Sequence, residues 1–226
     1  YGKAKITAEA KKLDILIENA REKARWDILT TGILTQALAK AGDSAFTVTF
    51  GIAATHVPIM GTTAGYGCLW STVATSTVAS DISLMKSVYA QDSGKDAKYG
   101  ICNTTTMNYI LNSTLLRNIM GEQYKSDALR LGAIKEICGL EILVYDQGYT
   151  VSGTFTPFLP NGRLVIWSGE PMPEYVGLAD DVAATTPGKF SKAFESDDPS
   201  GVTLLEEILA LPSGERVSEL FCATVA

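Results

Sequence analysis

A helical repeat near the amino terminus constrains this chain more than any other feature. From Thr7 to about Ala41 apolar residues recur at helical spacing, with Leu13, Ile17, Ala20, Ala24 and Ile28 along one stripe. Thr7 is placed as the N-cap and Ala41-Gly42 as the stop. At 1.5 Å per residue a helix over 7–41 would be about 50 Å long, and Gly32 marks a kink or break in it. A helix of that length exceeds what a compact domain needs, so it should cross an edge or touch partners.

The remaining pattern mixes short helices and strands. Phe46 to Phe50 alternates like a strand. The Gly-, Thr- and Ala-rich passage from Gly51 to Trp70 reads as a loop, or as a place where residues are missing. Ser76 to Ala90 predicts a helix whose buried face is Val78, Ile82, Met85 and Tyr89, with Thr77 or Ser80 near its start. Tyr99 to Cys102 predicts a strand, and Asn103 or Thr104 caps a helix through Met107, Ile110 and Leu111. A further helix is predicted from about Asp127 to Ile137, stopped by Gly139, and then a strand from Leu140 to Tyr145. Gly148 to Pro160 is turn-rich and is closed by Pro160-Asn161-Gly162 before the strand Arg163 to Trp167. The tail ends in the strand-like Leu220 to Val225. No internal repeat is visible. Helix and strand without regular alternation indicate an α+β class rather than a doubly wound sheet.

Composition narrows the functional classes. A chain of 226 residues can bury a sizeable core as one large domain or two connected subdomains. No apolar run reaches the roughly 20 residues needed to span a bilayer, since Asp14, Glu18 and Glu22 interrupt the first helix. No membrane association is expected. The net charge of −6 argues against a domain built to neutralise phosphates. Its densest basic cluster, Lys3, Lys5, Lys11, Lys12, Arg21, Lys23 and Arg25, is interleaved with Glu9, Asp14, Glu18, Glu22 and Asp27, as on a solvated helix face. Cys68, Cys102, Cys138 and Cys222 form no C-x-x-C pair, and three of them sit among apolar residues, as free thiols of a reducing cytoplasm do. The chain starts at Tyr1 without a Met or a leader, which reads as a processed form or a portion of something longer.

Catalytic readings fare poorly. The single histidine, His56, lies beside Val57-Pro58 in an apolar stretch and reads as structural. Ser83-Leu84-Met85-Lys86 spells the S-x-x-K of penicillin-recognising enzymes, but S-D-N and K-T-G companions are missing. The glycine-rich Gly61 to Gly67 lacks the lysine and hydroxyl of a phosphate loop and reads as a flexible loop. Asp180-Asp181 and Asp197-Asp198 could offer oxygen ligands to a hard cation, yet adjacent carboxylates alone make a poor cage. Asn103-Thr104-Thr105 and Asn112-Ser113-Thr114 match the glycosylation pattern and read as helix caps. No catalytic residue, cofactor or metal site is expected, which leaves structural or binding roles.

An ordered series of motifs points further. Arg25-Trp26, Leu29-Thr30-Thr31-Gly32 and Val48-Thr49-Phe50-Gly51 come first, and Trp70 precedes the next helix. Tyr99 to Met120 reads strand, small polar cap, helix with an aromatic and leucines, and a second short helix. Gly139 to Asp146 reads Gly-Leu-Glu-hydrophobic-x-Val-Tyr-Asp, and Leu159 to Ile166 reads Leu-Pro-Asn-Gly-Arg-hydrophobic; these two are the most specific. Asp198-Pro199-Ser200, Ala210-Leu211-Pro212 and Cys222-Ala223-Thr224-Val225 complete the series. In this order the chain resembles the lambda-type phage major capsid proteins, phage capsid family E, over nearly its whole length. It departs from the pattern at Gly61 to Trp70, where the usual spacing is obscured.

The resemblance implies an α+β Hong Kong 97-type phage capsid fold with a long spine helix at 7–41. It also implies a peripheral domain whose first part is 1–98, an axial domain at 99–160, and a return to the peripheral domain at 161–226. The family's N-terminal arm and extended loop ahead of the spine helix are not seen in this sequence, so closed shells are not expected from this chain as it stands. The implied function is that of a structural head subunit of a tailed bacteriophage or prophage, assembled in the host cytoplasm into an icosahedral shell that packages double-stranded DNA. Its partners would be itself, in hexamers and pentamers, a scaffold or decoration protein, and packaged DNA by non-specific proximity. The alternative is an encapsulin-like bacterial compartment shell, which neighbouring cargo genes would distinguish from terminase, portal and protease genes. The excursion from Gly148 to Pro160 is the expected subunit interface, through Tyr149, Val151, Phe155 and Phe158, because a connecting loop does not need such apolar density. A β-hairpin packed inward on its own domain is the competing reading.

Overall fold

The computed structural model describes residues 2–36, 46–121, 125–126, 134–177, 184–197, 200–208, 210–213 and 216–226. The chain divides into two compact units, one from residues 1–25 with 172–213 and one from 26–171 with 214–226.

Helix α1, Gly2–Thr31, is the long helix expected. It begins before Thr7, which is therefore not its N-cap, and it ends sooner than residue 41. The stop is Gly32, which takes a left-handed φ of +67° and donates its N–H to the Ile28 carbonyl at 2.9 Å. A side chain there would also meet Ile52, so glycine is required twice over. Released from the helix, Ile33–Gln36 forms strand β1, which pairs antiparallel with β2, Phe46–Thr49. Residues 33–36 are thus strand where the sequence predicts helix. Local β-branching at Ile33 and Thr35 and burial of Leu34 favour the pleated pairing over another helical turn. Residues 37–41 of the predicted helix lie outside the described residues.

In the first unit, β9, Glu174–Val176, pairs with β12, Ala210–Pro212, and the long β10, Phe190–Asp197, pairs with β11, Ser200–Glu207. Arg21 and Arg25 of α1 both grip Glu174, with Arg21 Nη2 at 2.5 Å and Arg25 Nη2 at 2.9 Å from its Oε2. Lys189 pairs with Asp14 and, at 3.2 Å, with Glu206. Among residues of this unit whose burial is described, Pro212 and Ser213 alone are buried.

The second unit carries the core. Its five-stranded sheet has the order β13, Phe221–Thr224; β8, Arg163–Trp167; β3, Tyr99–Cys102; β5, Leu140–Val144; and β4, Glu136–Ile137. Only β3 and β5 are parallel, and the crossover between them includes α3, Thr104–Asn112, and α4, Thr114–Ile119. Helix α2, Val78–Ser93, buries Val78, Ile82, Met85 and Tyr89 as its spacing predicts. These join Trp70, Met107, Ile110, Leu164 and Phe221 in one apolar cluster. A smaller cluster holds Trp26, Phe158, Leu159, Val165 and Cys222. Residues 127–133 of the predicted fourth helix lie outside the described residues, and its last residues are strand. Gly139 does not stop a helix; Cys138-Gly139 is the two-residue turn of the β4–β5 hairpin.

Candidate assembly surfaces

The excursion after β5 folds as a hairpin of β6, Gly148–Val151, and β7, Thr154–Pro157. Its turn, Ser152-Gly153, has φ of +50° and +82°, the two-residue geometry whose twist matches that of the strands it joins. The register pairs Tyr149 with Thr156 and Thr150 with Phe155. Side chains therefore alternate, with Tyr149 and Val151 on one face and Phe155 on the other.

The four interface residues expected from sequence separate into two pairs. Phe158 is 8% exposed and sits in the smaller core cluster, where its ring lies 5.5 Å from that of the half-buried Tyr149. The Phe158 N–H donates to the Gln147 carbonyl at 3.0 Å and closes the hairpin base. Val151 and Phe155 are instead 55% and 58% exposed. One pair anchors the hairpin in its own unit, and the other projects from its strands and is mostly exposed.

Further exposed apolar surface lies outside the hairpin. An open groove of about 310 Å³ in the second unit is lined mainly by Leu116, Ile119, Met120, Ile134 and Ile137, with Ile119 74% exposed. In the first unit Ile15 and Leu16 are exposed on α1, and Phe194 and Leu205 on one face of the β10–β11 ribbon. The pair Ile15-Leu16 was legible, since both residues fall off the Leu13 to Ile28 stripe. The groove was not, because it joins segments distant in sequence.

The residues tested for catalysis have structural occupations. His56 is buried between the Leu220 carbonyl, 3.0 Å from Nδ1, and Asp92 Oδ2, 2.9 Å from Nε2. Ser83 donates to the Ala79 carbonyl, and Lys86 Nζ donates to the carbonyls of Cys138 and Gly139, securing the β4–β5 turn. The Gly61–Gly67 loop is closed by its own backbone bond and anchored by Asp81. That buried carboxylate accepts from the Gly67 N–H, the Trp70 indole at 2.9 Å and the Thr77 hydroxyl. Sequence reasoning missed Asp81, whose helical position gave no sign of the loop it holds. Burial and the Asp81 charge push the Tyr66 phenol up from its ordinary value. Asn103 caps α3 and Ser113 caps α4, in agreement with the cap reading of both glycosylation-like motifs.

Among the described residues no three His, Cys, Asp or Glu side chains are grouped as a metal site, and no helix is long and apolar enough to cross a membrane. Asp180, Asp181 and Asp198 lie outside the described residues.

The fold is shared with a protein from a prophage of E. coli CFT073 that carries a provisional capsid assignment. It is 18% identical, with a TM-score of 0.76 over 98% of this chain and 67% of that one. A phage-related protein of Bordetella bronchiseptica RB50 is 9% identical, with a TM-score of 0.51 over 96% of this chain and 66% of that one. No curated protein matches the sequence. The family that the sequence matches gives the compartment-shell alternative no support. The sequence matches the phage major capsid protein E family over residues 3–225, and the chain belongs to that family as a structural capsid subunit.

Proposed function

We propose that this subunit has the Hong Kong 97-type capsid fold, with α1 as spine helix, a peripheral domain formed by residues 1–98 and 161–226, and an axial domain at 99–160. Copies join through heterologous contacts that close into hexamers and pentamers of an icosahedral head, assembled in the host cytoplasm around double-stranded DNA. DNA is held by enclosure rather than by specific contacts, in keeping with a net charge of −6. A scaffold or decoration protein would act on the assembled lattice.

The observation that carries the interface is the β6–β7 hairpin. Tyr149 and Phe158 fix its base, and Val151 and Phe155 project from it with more than half their surface exposed. Two apolar side chains on a tight hairpin lose little conformational entropy on contact, which favours such a feature as an association site. Replacing Val151 and Phe155 together with Ser in the full chain should abolish capsomers in negative-stain images. The stability of the isolated subunit should move by no more than about 0.5 kcal/mol. Capsomers that persist in this variant would remove the hairpin from the interface.

A further inference from the structure

We propose that Phe155 of one copy seats in the Leu116–Ile119–Met120–Ile134–Ile137 groove of a second copy of this chain, so that the hairpin of each subunit enters the groove of the next. The inference rests on the reading of the hairpin as an association site and names the surface that receives it.

Family membership makes a second copy the occupant to consider first, because these proteins assemble from copies of themselves. Size and chemistry agree. The groove of about 310 Å³ has room for a phenylalanine ring. Leu116, Ile134 and Ile137 form its buried floor at 5–6% exposure, and Ile119 stands at its rim at 74%. Its lining is apolar apart from the exposed Glu136 and the Cys138 thiol, and Phe155 brings no charge of its own. Phe155 is 58% exposed and so does not fill this groove in its own chain. Hairpin and groove are different patches of one compact unit, and contact between unlike patches is head-to-tail. Repeated around an axis it closes a ring, whereas contact between like patches ends at a dimer.

The native thiol of Cys138 lines the groove and is exposed, which provides a test. The full chain keeps Phe155 and carries Thr150→Cys, at its cross-strand neighbour on the same hairpin face, in a Cys68→Ser background, with and without Cys138→Ser, and is oxidised at high protein concentration. Cys102 and Cys222 do not compete, since burial pushes their thiols up to about 12 and about 11. Thr150 is an exposed position outside the proposed contact residue, so an unchanged thermal midpoint verifies folding. On non-reducing gels the expected product is a ladder of linked subunits extending beyond the dimer, which collapses to monomer when Cys138 is replaced. A dimer that survives Cys138→Ser would show hairpin meeting hairpin. It would overturn the groove assignment while leaving the hairpin as an interface. Monomers throughout would overturn both.

Discussion

The two units of this subunit are stabilised in different ways. The second stacks α2 on a five-stranded sheet and buries Trp70, Tyr89, Phe221 and Leu164 at or near zero exposure. The first contains a long helix and two two-stranded sheets, and among its residues of described burial only Pro212 and Ser213 are removed from water. Two-stranded ribbons are marginal alone. What ties this unit together is the clasp of Arg21 and Arg25 on Glu174 and of Lys189 on Asp14 and Glu206. Meanwhile Ile15, Leu16, Phe194 and Leu205 remain exposed. Both units keep exposed apolar surface that a shell of many copies could cover, but only the second has a core complete in a single chain among the described residues.

The contrast is broken most directly in the core. Trp70→Ala removes a fully buried indole and the donor at 2.9 Å from Asp81 Oδ2, and should cost about 3–5 kcal/mol in chemical denaturation. A loss of less than about 1 kcal/mol would mean that the second unit is no better packed than the first.

A smaller and pH-dependent effect is expected from Glu174. The Arg21 hydrogen bond, aided by Arg25, holds its carboxyl below the ordinary carboxylate range despite the opposing effect of burial. With the folded value depressed, this stabilisation is fully present above the unfolded value of about 4.3 and drains away as pH falls through the lowered folded value. Glu174→Gln should weaken the first unit by about 1 kcal/mol at neutral pH. Hydrogen exchange at the β9 and β12 amides should accelerate, and the acid sensitivity there should be reduced. Unchanged exchange in these strands would show that the ion pairs are incidental and that the ribbon is stable without them.

The smallest effect on the lone subunit should come from the exposed ribbon face. Phe194→Ser alters a side chain that is 40% exposed and should shift stability by no more than about 0.5 kcal/mol, as read by thermal melting. A shift above 2 kcal/mol, on the order expected of core positions, would reveal an unsuspected core in the first unit and erase the distinction.

Periodicity by itself determined the elements that fold on short-range pattern. The repeat through Leu13 and Ile28 specified α1, the spacing of Val78, Ile82, Met85 and Tyr89 specified the buried face of α2, alternation specified β2, and Tyr99–Cys102 and the run after Pro160-Asn161-Gly162 were expected as β3 and β8. The motif series from Arg25-Trp26 to Thr224-Val225 also specified the family. Ends and partners were decided only by tertiary structure. Ile33–Gln36 could continue a helix or start a strand, and pairing with Phe46–Thr49 settled it. Glu136–Ile137 became strand because β5 was there to pair with. In the hairpin the sequence supplied four apolar side chains without saying which faced inward. Phe158 is buried because Trp26, Val165 and Cys222, remote in sequence, converge on it, while no part of the described chain covers more than half of Phe155. Short-range spacing records which residues can share a face, but burial depends on what arrives from elsewhere in the chain, and that follows from the assembled fold.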